Sequence, residues 1–147
     1  MYTFIKLTVP PAVMGLFDAS NRDQCEVRRL KTNTPLQALA MMNDPMVLEA
    51  SRVLAQKLAT EHSSDKEKIL KAFRLIVCRK PSEKEMTIME DYYASQLEAY
   101  RARKLDAART LNIGEYPQDK HADSNTSAAL AKLIGTLYNL EEAITKS

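Results

Sequence analysis

From Thr34 onward, apolar residues recur at steps of three and four, the spacing that gathers them on one face of an α-helix. Thr34-Pro35 opens the first stretch: a threonine can cap an unpaired backbone N–H, and proline at the first helical position loses no hydrogen bond. Leu36, Leu39, Ala40 and Met42 supply the apolar side, which ends near Asn43. Asp44-Pro45 repeats the start signal, with Asp44 as cap, and Met46, Val47, Ala50, Val53, Leu54 and Leu58 carry a second helix to about Ala59. Ser63 or Ser64 opens a third, with acidic residues in its early turn and a stripe of Ile69, Leu70, Phe73, Ile76 and Val77. Lys80-Pro81-Ser82 ends it. Ser82 with Glu85 three residues on is a capping box, so a long helix starts there. Met86, Met89, Tyr93, Leu97 and Tyr100 form one side of it, and Leu105, Ala108 and Leu111 extend that side toward Gly114. Residues 114–125 read as an exposed loop. Ser124 to Thr126 cap a last helix with Leu130, Leu133, Ile134, Leu137, Tyr138 and Leu140 facing inward, and Leu140-Glu141-Glu142 begins a short final turn.

Before Thr34 the period is missing. Tyr2 to Val9 suggests a short strand or extended arm that Pro10 and Pro11 end by removing two backbone donors. A short apolar knot at Val13, Met14, Leu16 and Phe17 follows, then a polar run. The expected fold is mainly α: an irregular bundle of four to five amphipathic helices over 34–147, completed by an extended, irregular segment over 1–33.

Composition narrows the functional classes. The 147 residues suffice for one hydrophobic core, and 45% hydrophobic with 27% charged residues, Gly 3 and Pro 6 suit a globular helical chain. Lys plus Arg total 21 and Asp plus Glu 19, so a net charge of +2 creates no field to gather nucleic acid or anionic lipid. With no Trp and 6% aromatic residues, stacking platforms for single strands or sugars are few. Cys25 and Cys78 belong to no CxxC or CxxCH motif, which argues against covalent haem, a zinc knuckle or a redox dithiol in this chain. They are read as buried free thiols or as one disulfide. The opening residues do not form a signal peptide, so a targeting signal is expected outside the chain, and no run of about twenty apolar residues exists to span a bilayer.

The densest polar segment is 18–37, with Asp18, Asn21, Arg22, Asp23, Cys25, Glu26, Arg28, Arg29, Lys31, Asn33 and Gln37. One reading is a binding or catalytic surface: arginines clamp a carboxylate or sulfate, Asp18 or Asp23 orients them, and nearby positive charge activates Cys25. The other is an irregular segment that satisfies its own backbone through these side chains. The candidate interaction residues are Asp18, Asn21, Arg22, Asp23, Cys25, Arg28, Arg29, Asn33 and Gln37; Thr34, Asp44, Ser82 and Glu85 are the structural caps.

Phe17-Asp18-Ala19-Ser20-Asn21-Arg22, then Cys25 before Arg28-Arg29, Thr32-Asn33-Thr34-Pro35-Leu36-Gln37-Ala38-Leu39 and Asn43-Asp44-Pro45 resemble the C-terminal half of a large bacterial family, domain of unknown function 1553 (DUF1553). Phe73-Arg74, Arg79-Lys80-Pro81-Ser82 with Glu85, and Leu137-Tyr138-Asn139-Leu140-Glu141-Glu142 look like later parts of the same pattern. The resemblance implies architecture more than chemistry: planctomycete-type exported proteins, periplasmic or at the cell surface, in which this region follows a DUF1549 region and often an N-terminal cytochrome c-like domain. Haem would then sit upstream, with no cofactor in this chain. Its partners would be the upstream domains of the same polypeptide and a redox or polymer-handling protein. Two departures stand out. Ser20 replaces a common proline, and Cys78 replaces a glycine suited to a left-handed helix end, so Cys78 must stay helical or tolerate strain.

Other candidates read as ordinary structure. His62 and His121 lie in polar connections, and His121 with Asp123 two positions on makes a weak metal pair. Asp18, Asp23 and Asp44 do not establish the cleft geometry of acid–base hydrolysis. Met41, Met42 and Met46 suit core filler better than haem ligation. Tyr93 and Tyr100 should be half-buried and Tyr92 exposed. Arg101, Arg103, Lys104 and Arg109, interspersed with acids, read as a solvated helix face. The expectation is an uncharacterised helical module of a larger exported protein, structural or interacting, without catalysis of its own. The alternative is part of a ligand or catalytic site at 18–37 in a hydrolytic or redox-linked multidomain protein.

Overall fold

A computed structural model describes residues 11–19, 27, 32–61, 64–118 and 122–144. The expected arm at 2–9 lies outside them, as do Asn21, Arg22, Asp23, Cys25, Glu26, Arg28, Arg29, Lys31, His62 and His121.

The described residues form eight helices and no strand: α1 (Ala12–Leu16), α2 (Pro35–Asn43), α3 (Pro45–Glu61), α4 (Asp65–Val77), α5 (Glu83–Arg101), α6 (Ala107–Leu111), α7 (Ser124–Tyr138) and α8 (Glu141–Ile144). The expected count of four to five helices is therefore corrected to eight. The additional helices are short, with 5 residues in α1, 5 in α6 and 4 in α8. Such pieces contain barely one turn, too little for an apolar period to register, and they persist by packing and capping rather than by propensity. The α5–α6 break is marked by Arg103 at φ 55° and by Asp106, whose carboxylate accepts from the N–H groups of Ala108 and Arg109.

Contacts divide the chain into two units, Met1–Met41 and Met42–Ser147, the division falling within α2. In the first, the side chain buried among the described residues is polar, Gln37, while Val13, Leu36 and Leu39 stand exposed.

The second unit holds the hydrophobic core. At its centre is α7, buried on almost every side through Ser127, Ala128, Ala129, Leu130, Ala131, Leu133, Ile134 and Leu137, and packed against α3, α4, α5, α6 and α8. The run of alanines lets neighbouring backbones approach, and Lys132 and Thr136, one turn apart, form its narrow solvent stripe. Onto it α4 brings Ile69, Ala72 and Phe73, and α5 brings Met89, Tyr93, Leu97 and Tyr100, on the faces their periodicity marks. Tyr93 and Tyr100 are more deeply buried than expected, and Tyr92 is half-buried against the core rather than exposed.

Helix α3 departs most from its pattern. Its buried residues are Ser51, Arg52, Ala55, Gln56 and Leu58, whereas Met46 is 69% exposed and Ala50 faces solvent. Met42 is likewise exposed and Met41 half-buried, so the methionines are not core filler. Cys78 ends α4 at φ 61°, adopting the left-handed conformation in place of glycine, and is a free, exposed thiol rather than a buried one.

Candidate functional site

The described part of the polar segment folds into a hydrogen-bonded knot. Thr34 and Gln37 cap the start of α2 reciprocally: the Gln37 N–H donates to Thr34 Oγ1 at 3.3 Å, and the Thr34 N–H donates to Gln37 Oε1 at 2.9 Å. The other end of the same amide is occupied as well. Gln37 Nε2 donates to the Leu16 carbonyl at 2.7 Å, tying α2 to the end of α1, and to Thr32 Oγ1 at 3.1 Å. Thr32 in turn donates through its N–H and its hydroxyl to Asp18 Oδ2, both at 2.7 Å. Asp18 and Thr32 stand 14 positions apart, so this pair brings together the two ends of the stretch that holds the candidate arginines and Cys25.

Asp18 has φ 53°, a conformation that a short polar side chain tolerates better than most because it hydrogen-bonds locally. Gln37 is 3% exposed with both amide heads engaged, so what buries it is internal satisfaction rather than a cleft. Asn33 is exposed. Among the caps, Asp44 Oδ1 accepts from the Met46 N–H at 2.7 Å, and Ser82 and Glu85 close a reciprocal box at the start of α5.

A second polar cluster escaped the sequence pattern. Arg52 is 1% exposed, and its guanidinium donates to the Ile113 carbonyl at 3.0 Å, Gln56 Oε1 at 3.1 Å and the Tyr116 carbonyl at 2.7 Å. Glu49 lies 3.6 Å from it and accepts from the Tyr116 N–H at 2.6 Å. Gly114, at φ 88°, lies so close that a Cβ there would collide with the Glu49 side chain. Three backbone groups of the α6–α7 connection are thus held by two side chains of α3, and the guanidinium has carbonyl and carboxylate partners in place of a ligand. The available signal was an arginine four residues before a glutamine, on one face of the helix.

A third cluster joins α4, α5 and α8. Arg79 forks onto Glu85 at 2.9 and 2.6 Å and onto Glu142 at 2.8 and 3.1 Å, while its guanidinium lies 4.9 Å above the Phe73 ring. Hydrogen bonds from Arg79 first, then from Ser82, draw the Glu85 carboxyl down to about 2, and Arg79 lowers Glu142 as well. In the core, burial and then the Asp65 charge push the Tyr93 hydroxyl up to about 12, and that hydroxyl has no hydrogen bond of good geometry. These shifts follow from fixed pairing and from burial. Among the described residues no group of three or more His, Cys, Asp or Glu is placed to hold a metal ion. No described helix is long and apolar enough to cross a membrane.

The class defined by this geometry is a mainly helical module whose described polar clusters are satisfied from within the chain. The family described as Protein of unknown function (DUF1553) matches residues 1–93, and the chain belongs to that family. No curated protein and no solved structure matches it.

Proposed function

We propose that this helical DUF1553 module acts by packing and interaction within a larger exported protein, without independent catalysis. The observation that carries the reading is the knot at Asp18, Thr32, Thr34 and Gln37. Its polar atoms serve one another and the backbone, the arrangement a structural joint requires and a ligand cleft does not. Residues 1–33 serve in this reading as the segment that completes the domain, and 34–147 as its helical body. The resemblance at Phe17 to Pro45 supports an upstream DUF1549 region and a cytochrome c-like domain in planctomycete-type proteins, with a periplasmic or surface location and a redox or polymer-handling partner.

Calorimetric titration tests this reading. The chain is titrated with the region that precedes it in the whole polypeptide and, separately, with sulfate, dicarboxylates and oligosaccharides, with an Arg28→Ala, Arg29→Ala double variant alongside. Binding of the preceding region alone is expected, weakened in the variant. Saturable binding of a small molecule that the variant abolishes would replace the structural reading with a ligand site at 18–37.

A further inference from the structure

Helix α3 turns two different faces to its surroundings. Ser51, Arg52, Ala55, Gln56 and Leu58 point inward, while Met46, Ala50 and Val53, at steps of four and three, form an apolar stripe that the core leaves unused. Tyr116 and Pro117, from the connection that follows Gly114, stand opposite this stripe, and Tyr116 is 62% exposed. Between the two walls lies an open groove of about 560 Å³, within the roughly 300–1,000 Å³ usual for binding sites. The second wall is fixed. Arg52 holds the Ile113 and Tyr116 carbonyls, and Glu49 holds the Tyr116 N–H, so the groove is formed before anything enters it. The buried guanidinium thereby builds one side of a binding surface as well as tying the connection down.

The groove also has a sign. Its lining includes Glu49 and Glu115 and no cation. Arg52, buried beside Glu49, offsets one of these two carboxylates, which leaves one negative charge, carried by the exposed Glu115. An apolar floor with a carboxylate beside it complements an apolar surface that bears a cation and disfavours one that bears an acid. Shape narrows the occupant further. The stripe from Met46 to Val53 is ~10 Å long at ~1.5 Å per residue, which matches about two turns of a second helix laid along it. The described residues include no strand, and hence no sheet edge for an extended segment to join.

We infer that this groove docks an amphipathic helix of a partner protein, one that lays aliphatic side chains on Met46, Ala50, Val53 and Tyr116 and a lysine or arginine against Glu115. The inference rests on the reading of the chain as an interaction module, and gives that module a surface and a partner chemistry.

The test is fluorescence anisotropy with the full chain and two short labelled helical peptides that share a leucine face and differ in the flanking residues, lysine in one and glutamate in the other. Ala50→Gln puts a polar side chain on the apolar floor, and Glu115→Lys reverses the charge; both positions are exposed, so circular dichroism should show each variant folded as the parent. The lysine peptide should bind saturably and about five- to tenfold more tightly than the glutamate peptide. Ala50→Gln should weaken both, and Glu115→Lys should reverse their order. No binding, equal affinity of the two peptides, or binding indifferent to Ala50→Gln would overturn the proposal. Sedimentation of the chain alone provides a further check: a dimer that Ala50→Gln abolishes would give the groove to a second copy and overturn it too. If the peptides fail while the chain still binds the region that precedes it, the interaction reading stands and this surface alone is lost.

Discussion

Replacing Arg52 tests the central polar element of the fold. Arg52→Ala removes hydrogen bonds to Ile113, Gln56 and Tyr116 and the pairing with Glu49. The two carbonyls lie in a solvent-facing loop and recover water when it loosens, but Gln56 is 5% exposed and stays dry, which costs about 1–3 kcal/mol. The lost side-chain methylenes add about 1.5 kcal/mol. Together these give a loss of about 3 kcal/mol, at the lower edge of the range for breaking a buried ion pair. Arg52→Met retains most of the apolar stem and separates the two contributions; it should lose about 2 kcal/mol. Urea unfolding followed by circular dichroism reads both, and with a slope of about 1.5 kcal/mol per molar the alanine variant should unfold at a urea concentration about 2 M lower. If Arg52→Met matches the parent, the guanidinium bonds contribute nothing net and the loop is held by packing alone.

Three further outcomes follow from the same structure. Gln37→Ala removes the reciprocal cap and the tie to Leu16, and should cost about 1–2 kcal/mol locally, seen as faster proteolysis near α1 and α2 with the main unfolding transition unmoved; Gln37→Glu, which retains an acceptor for the Thr34 N–H but loses the donor to Leu16, should lie between. Cys78→Gly relieves a left-handed φ of 61° and should raise the thermal midpoint by about 3 °C; a lower midpoint would mean the thiol contributes packing. Glu85 and Glu142 titrate below ordinary carboxylates when folded, so their stabilisation is complete above about pH 5 and is lost as pH falls through 4.5 toward 2. Thermal midpoints of the parent should drop across that window, and those of Glu85→Gln should drop less.

The helices with long periodic stripes were legible because their signals are local. Pro35, Pro45 and the Ser82–Glu85 box mark starts within a residue, and the stripe from Met89 to Tyr100 needs only its own spacing. Thr34 and Gln37 also carried a local signal, the threonine-to-glutamine spacing of a capping box, although the composition around Gln37 suggested an interaction surface. The face of α3 was not legible. Its apolar residues suggest one stripe, but Arg52 is buried by carbonyl partners 61 and 64 positions away, and no local pattern reveals which acceptors the fold will supply. The final turn expected at Leu140-Glu141-Glu142 is α8, but α1 and α6 were missed for the opposite reason: α6 rests on Asp106 and on Leu111 reaching the core, too few residues to define a period.

The position of α7 bears on how the chain acquires its structure. During synthesis α3, α4 and α5 all emerge before the helix they pack on, and the family match ends at Tyr93, within α5 and well short of α7. Until residues 124–138 arrive, the apolar faces of Leu58, Ile69 and Phe73 lack their central partner, so the helices made first wait for the helix made late. Closing that long separation is slow, and the waiting faces are sticky. A fragment cut at Tyr93 would preserve the stretch that the family match covers while omitting the helix around which those residues fold.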